Sequence, residues 1–384
     1  MARIIIAGDY CSNSRMNIIS DRKFSPIGQD VIDILKDTDY SLVNLESPIA
    51  EKERDTKKIP KQGPSLIGDI RNLDYIKAAG FKGVTLANNH ILDYGVKALS
   101  KTIVGLRNRD LDYVGAGMNK EEASQILYKD IKGVKVAIIN CCEHEFSVAT
   151  KERGGANPIN IIEQYYQIQE AKCNSDFVIV IIHGGVEHFQ YPTIKMVKEY
   201  RFLVDVGADA IINHHQHCPC GYEVYKGKPI YYGLGNFCFD WDGKRNSIWN
   251  IGYIVCLELN DGNEVESEII PYSQCNDTPT VNLLEEEDSC SFKQMIKGLC
   301  ESIKDENLLE TKLALFNEKN DYLYRKMLEP YSGKIANGLY RRGVLPSTIK
   351  KDRVLSLVDF LICESHYERV KELLNRLYKQ YFNE

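Results

Sequence analysis

Several common signatures are missing from this chain. No run approaches the ~20 consecutive apolar residues that a membrane-spanning helix needs. Basic residues are not in excess: 48 Lys and Arg stand against 54 Asp and Glu, a net charge of −6, so there is no electrostatic footprint for nucleic acid. The 12 cysteines follow no repeating spacing, and Cys141, Cys142 and Cys256 sit in apolar stretches. They read as buried thiols in a reducing compartment. Cys218-Pro219-Cys220 lacks the spacing of a structural zinc site and reads as loop packing. The opening Met1-Ala2-Arg3-Ile4-Ile5-Ile6 enters a strand-like run, with no charged segment followed by a long apolar one, so a cytoplasmic location is expected. Internal repeats and low-complexity segments are not evident. Gly115-Ala116-Gly117 has no third glycine near Glu121 to complete a dinucleotide fingerprint, and nucleotide binding there is discounted.

Histidine is scarce and unevenly placed. Of 8 histidines in 384 residues, three fall in Asn213-His214-His215-Gln216-His217, directly after the apolar run Ala208 to Ile212. Neutral imidazole is the commonest metal ligand. His183 also ends an apolar run, and His90 lies in Asn88-Asn89-His90. One polar site assembled from distant segments is the simplest reading.

The length exceeds the usual single domain, and 43% hydrophobic residues suffice for a large core. Over the first 240 residues short, β-branched-rich runs alternate with helical patterns. Ile4 to Ala7, Ser41 to Leu45, Gly83 to Leu86, Val134 to Ile139, Phe177 to Ile182 and Ala210 to Ile212 read as strands buried on both faces. Val31, Ile34 and Leu35, or Ile161, Tyr165, Ile168 and Lys172, keep the helical period. The alternation predicts an α/β fold with a layered sheet core flanked by helices. Pro229 to Tyr232, Ile251 to Leu259 and Val265 to Tyr272 are expected as antiparallel strands closing one side. The acidic Glu285-Glu286-Glu287-Asp288 then introduces amphipathic helical patterns, including Val370, Leu373, Leu374, Leu377 and Tyr381. A domain over 1–284 with a helical extension over 285–384 is expected, the extension offering a surface for a protein partner or for self-association.

Five motifs fall at strand ends, where loops of an open α/β sheet converge on ligands. They are Gly8-Asp9, Asn44-Leu45-Glu46, Asn88-Asn89-His90, His183-Gly184-Gly185 and the histidine triplet. Each alone has a plain structural explanation, such as a turn or a helix cap. Together they combine hard oxygen donors with imidazoles, a set that suits divalent zinc, iron, manganese or nickel. Two such ions bridged by a carboxylate would acidify water and clamp the attacking and leaving oxygens of a displacement, which points to a hydrolase.

These blocks carry a family resemblance. Gly8-Asp9, Asn44-Leu45-Glu46-x-Pro48, Leu86-Ala87-Asn88-Asn89-His90-x-x-Asp93-Tyr94-Gly95, His183-Gly184-Gly185-x-Glu187 and His214-His215-x-His217 through Gly233-x-Gly235-Asn236-Phe237 resemble, in order, the signature of the CapA family of poly-γ-glutamate capsule synthesis. That family sits in the metallophosphatase superfamily with calcineurin-like phosphoesterases. The resemblance covers residues 1 to about 260 and implies a metallophosphatase-like core. It implies Asp9, Glu46, Asn89, His183, His215 and His217 as ligands of one or two divalent ions, with Mn, Fe or Zn expected and Glu46 as the bridge. His90 would protonate the leaving group or stabilise its charge. Asp93, on the same face if a helix starts here, would orient it. Glu187, His214 and Arg15 are expected near the substrate, an anionic polymer or phosphorylated precursor. Cys11 stands where many relatives in the superfamily have a ligand histidine, so the first metal site is expected to be weaker, differently loaded or empty. The function implied is a metal-dependent hydrolase of capsule, exopolysaccharide or poly-γ-glutamate metabolism, the alternative being a non-catalytic assembly component of polymer synthesis or export.

Overall fold

A computed structural model describes residues 1–11, 14–18, 24–50, 57–260, 264–331 and 333–382. It divides into two compact units, Met1–Leu313 and Ala314–Glu384. In chain order the strands are β1 (Ala2–Cys11), β2 (Tyr40–Leu45), β3 (Gly83–Thr85), β4 (Asp112–Val114), β5 (Ala116–Gly117), β6 (Leu127–Ile131), β7 (Val134–Cys142), β8 (Gly155–Ala156), β9 (Phe177–His183), β10 (Ala210–His214), β11 (Tyr222–Tyr225), β12 (Lys228–Tyr231), β13 (Asn236–Phe239), β14 (Ile251–Leu259), β15 (Val265–Gln274) and β16 (Val281–Leu283).

Two sheets form the core of the first unit. One runs β16-β15-β14-β1-β2-β3-β4, with β13 also paired to β1, and the other runs β11-β12-β10-β9-β7-β6. Strands β1 to β4 are parallel, as are β7, β9, β10 and β12. Alternation along β1 explains why the sheets face each other: Ile4 and Ile6 enter the layer shared with Ile138, Ile179, Ile181 and Ile212, while Ile5 and Ala7 enter the layer on the opposite face. Burying one such isoleucine contributes roughly 1.5–3 kcal/mol.

Helices cover both outer faces. Gln29–Lys36, Arg71–Ala79 and Gly95–Arg107 place Val31, Leu35, Ile76, Leu99 and Leu106 against Ile5 and Val43. Ile161–Asn174 and Ile194–Asp205 place Ile168, Ala171, Val197 and Leu203 against Ala137, Val178 and Val180. The buried residues Met196, Val197, Tyr200, Leu203 and Val204 follow the helical period, and the Thr193 side chain caps that helix by accepting from the Met196 N–H. The α/β layers thus stack helix, sheet, sheet, helix.

Three expectations need amendment. Strand β12 is antiparallel to β11 but parallel to β10, because it continues the second sheet. The core also runs past residue 284: the helix Glu286–Ile303 buries Phe292, Ile296 and Leu299 in the inter-sheet layer beside Tyr253, and the compact unit ends at Leu313. The helix after β3 begins at Gly95, so His90 and Asp93 lie in a turn, closed by Asp93 N–H donating to the His90 carbonyl at 3.0 Å. Gly115 has φ +92 and a Cβ there would stand 1.9 Å from Asn140 Oδ1; it makes room for that side chain. The second unit is helical over Gly333–Arg341, Lys351–Ile362 and Glu364–Phe382. Among the described residues no helix is long and apolar enough to cross a membrane.

Candidate metal centre

The parallel strands of both sheets end at one locus, and the expected ligands lie there. Asp9 sits within β1 at a register irregularity: β1 pairs with β14 over Ala2–Ile6, and from Asp9 onward it pairs with β13. Gly8 permits that fork, since a Cβ on it would lie 2.0 Å from the Gly235 carbonyl oxygen. Glu46 follows β2, Asn89 and His90 follow β3, His183 closes β9, and His215 and His217 follow β10. His215 and His217 have φ of 95° and 56°. Such angles are uncommon for a residue with a side chain and are stored strain of order 1–3 kcal/mol where the surroundings enforce them.

Glu46 is the centre of the arrangement. Its side chain is fully buried, and among the described residues neither carboxylate oxygen has a hydrogen-bond partner. Around Oε1 stand His183 Nε2 at 3.7 Å, His217 Nε2 at 3.7 Å and His90 Nε2 at 4.0 Å. Two groups of donors close enough to share one ion meet at this carboxylate: Asp9, Glu46 and His217 on one side, Glu46, His183 and His215 on the other. Asn89 Oδ1 joins the second group, 3.1 Å from His183 Nε2. An isolated buried carboxylate is costly in a low-dielectric interior. Aspartate, glutamate, three imidazoles and an amide oxygen are donor types that fit a divalent cation, and the two groups share Glu46.

The electrostatics agree. Burial pushes the Asp9 carboxyl up and the Glu46 carboxyl well above the usual range, with the charges of Asp9 and Glu187 adding to the shift at Glu46. Burial and neighbouring imidazoles pull His183 and His217 well below the ordinary value. At His215 burial also pulls down, but a hydrogen bond to Glu143 and its charge prevail, and the ring is pushed up to about 9. A bound cation would oppose the shifts at Asp9, Glu46 and His215 and reinforce those at His183 and His217, favouring carboxylate and neutral imidazole together.

The remaining expected residues divide. His90 Nδ1 lies 2.6 Å from Asp93 Oδ2, so the pair is formed by the turn. Glu187 is exposed on the loop after β9, near enough to act on Glu46 and His215. His214, expected near the substrate, is instead buried, with Nε2 donating to the Ala7 carbonyl at 3.1 Å and so committed to β1. Arg15 is a second correction. Its Nη2 lies 2.7 Å from Asp240 Oδ1, and its other donors go to Asp240 and the carbonyls of Cys275, Asn276 and Asp277. That guanidinium clamps a loop and is not offered to a ligand. Cys11 packs with Leu66, Phe239 and Trp249, and burial pushes its thiol well above the ordinary value, which leaves it protonated and apolar in role.

Three neighbours absent from the expected set also touch the site residues. Asn44 donates to Asp9 Oδ1 at 2.8 Å and stands 3.2 Å from His183 Nδ1. Asn236 Oδ1 lies 2.9 Å from His217 Nδ1, which leaves His217 Nε2 turned to Glu46. Lys61 is buried against Asp93 at 2.5 Å. Asn44 and Asn236 stand inside the strand-end motifs and could have been read as ligand-orienting amides; Lys61, in a Pro- and Gly-rich loop, could not.

Comparison with known proteins places this geometry in a family. Residues 3–241 match the model of the bacterial capsule synthesis protein PGA_cap. A capsule biosynthesis protein CapA of Bacillus anthracis is 30% identical over 301 residues, 76% of this chain and 69% of that one. A PGA biosynthesis protein CapA of Bacillus subtilis is 30% identical over 306 residues, 78% of this chain and 77% of that one. A probable polyglutamine synthesis accessory protein of Mycobacterium tuberculosis is 27% identical over 256 residues, covering 61% and 66%. A 5'-nucleotidase from Candida albicans overlays at TM-score 0.41 and 12% identity, over 83% of this chain and 57% of that one, too distant to carry an argument. The matched span contains every strand end that builds the carboxylate and imidazole cluster, and the chain belongs to the family of bacterial capsule synthesis proteins, PGA_cap.

Proposed function

We propose that this protein is a metal-dependent hydrolase of the phosphoesterase type, acting on an anionic surface polymer or its phosphorylated precursor in capsule or poly-γ-glutamate metabolism. The observation that carries the reading is Glu46: a fully buried carboxylate whose oxygens have no hydrogen-bond partner among the described residues, with three imidazoles arranged around Oε1. Asp9, Glu46 and His217 would hold one ion, and Glu46, His183, His215 and the Asn89 amide oxygen the other. When bound, one or two divalent ions, Mn, Fe or Zn by the donor types, supply Lewis acidity and make water nucleophilic near neutral pH.

The protein's own groups do the rest. His90 presents Nε2 toward the same carboxylate while its Nδ1–H donates to Asp93, so the ring acts as an imidazolium, whose Nε2 proton goes to the departing oxygen and whose Nδ1 proton stays with Asp93. Asp93 sets the ring's tautomer and orientation, and Lys61 holds Asp93. Glu187 stands at the exposed edge, where it would meet the substrate. The test is elemental analysis of the purified protein, followed by turnover of phosphodiester and γ-glutamyl peptide substrates with and without Mn2+. Protein that folds, holds no metal and stays silent with every added ion would sink the proposal.

A second reading is a non-catalytic component of polymer assembly, and the names of the relatives support it: they describe biosynthesis and accessory proteins, not hydrolases. His90→Ala separates the two. An enzyme loses turnover with metal content unchanged, whereas an assembly component keeps polymer production in cells.

A further inference from the structure

The segment after β7, Glu143-His144-Glu145-Phe146-Ser147, is used by none of the roles above, yet it touches two residues of one pocket. Glu143 Oε1 lies 2.9 Å from His215 Nε2, and its Oε2 accepts the Gly185 N–H at 3.0 Å. Glu145 Oε1 accepts from Asn89 Nδ2 at 3.4 Å, and Ser147 Oγ donates to the Asn89 backbone carbonyl at 2.6 Å. Glu143, Glu145 and His215 also lie close enough together to suggest an ion site of their own. The directions argue otherwise: both Glu143 oxygens are engaged by N–H donors, and an atom that accepts such bonds is a poor additional ligand.

We infer that this segment positions the ligands of the pocket formed by Glu46, His183, His215 and Asn89, with Glu143 as its principal positioning residue. The inference rests on the metal-centre reading given above. A proton on His215 Nε2, held by Glu143, leaves the Nδ1 lone pair for the pocket, and Nδ1 is the atom that faces His183 Nε2 at 3.0 Å. Asn89 is set likewise: with its amide N–H turned to Glu145, the amide oxygen faces His183. The other pocket uses a different device, since His217 has its Nδ1 held by Asn236. Carboxylates that hold the far nitrogen of a ligand histidine typically affect metal affinity 10–100-fold.

Titration of the metal-free protein with Mn2+ by calorimetry tests this. Wild type should bind two equivalents, or one if a single pocket loads. Glu143→Ala should weaken one equivalent 10–100-fold, leave the other and the fold, read by circular dichroism, unchanged, and Glu143→Gln, whose amide oxygen can accept the same bond, should recover most of it. Wild-type affinity in Glu143→Ala, equal weakening of both equivalents, or a Gln variant no better than Ala would each overturn the inference. Where wild type binds a single equivalent, an unchanged Glu143→Ala overturns it unless His215→Ala is also unchanged, which places that ion with Asp9 and His217 and overturns the pocket assignment instead. Wild type that takes up no Mn2+ at all overturns the proposed function itself.

Discussion

Lys61 and Asp93 form an ion pair at 2.5 Å with side chains only 3% and 0% exposed. The lysine comes from a loop and the aspartate from the turn after β3, so the pair fastens one to the other. Asp93 also accepts the Leu66 N–H at 2.6 Å and meets His90 at 2.6 Å, which makes it the hub of this corner. Removing one partner of a buried pair leaves the other charge uncompensated. Lys61→Met should therefore lower unfolding free energy by about 3–5 kcal/mol. Urea denaturation measures it, and a loss below 1 kcal/mol would show the pair to be solvated.

Glu46→Gln should move stability and ligand response in opposite directions. In metal-free protein the substitution removes a buried carboxyl without hydrogen-bond partners, so the melting temperature should rise. Added Mn2+ at 100 times the dissociation constant stabilises a binding-competent protein by about 2.7 kcal/mol. Wild type should show that gain in thermal scans and Glu46→Gln should not; a variant that melts lower and still responds to Mn2+ contradicts both halves.

Metal loading should release protons. With its ring pushed up to about 9, His215 carries a proton at neutral pH in the metal-free protein, and it must be neutral to bind an ion. The folded value lies above the unfolded one, so in metal-free protein this ring's contribution to stability is complete below about pH 6.5 and fades as pH rises through about 9. Metal affinity runs the other way and weakens as pH falls from 9. Calorimetry in buffers of different ionisation enthalpy reads the proton count, and a buffer-independent heat excludes the release.

Arg15→Ala should damage the fold and spare the metal centre. Its guanidinium compensates Asp240, whose side chain is fully buried, and ties down three carbonyls. A loss of about 3 kcal/mol is expected, with Mn2+ affinity unchanged. Weakened Mn2+ binding without loss of stability would return Arg15 to the site.

The layered α/β core was readable because its strands are buried on both faces and so appear as unbroken runs such as Phe177 to Ile182. The convergence of the strand-end motifs on one candidate locus was readable for a related reason: these polar residues directly follow such runs, where the loops of a parallel sheet meet. What distant strands do to one another was not readable. Arg15 is an unremarkable arginine until Asp240 arrives across the sheet, and His214 could be set apart from the two expected ligands beside it, but not placed until Ala7 claims its Nε2. Lys61 and Glu143 depend on loop paths that no periodicity encodes. The turn at His90 and Asp93 achieves by local hydrogen bonding what a helix was expected to do.

The fork in β1 bears on how the protein comes into being. Asp9 precedes every other expected ligand along the chain, yet it registers against Asn236, on a strand that follows all three of the expected ligand histidines. Contacts between such distant segments form slowly, because the entropy of closing the whole intervening chain opposes them. A chain growing from its amino end holds Asp9, Glu46 and Asn89 long before it has β13 to close the fork. On the metal-centre reading the site is completed only when β13 joins β1, and a fragment ending before Asn236 should bind Mn2+ poorly even though it contains every proposed ligand.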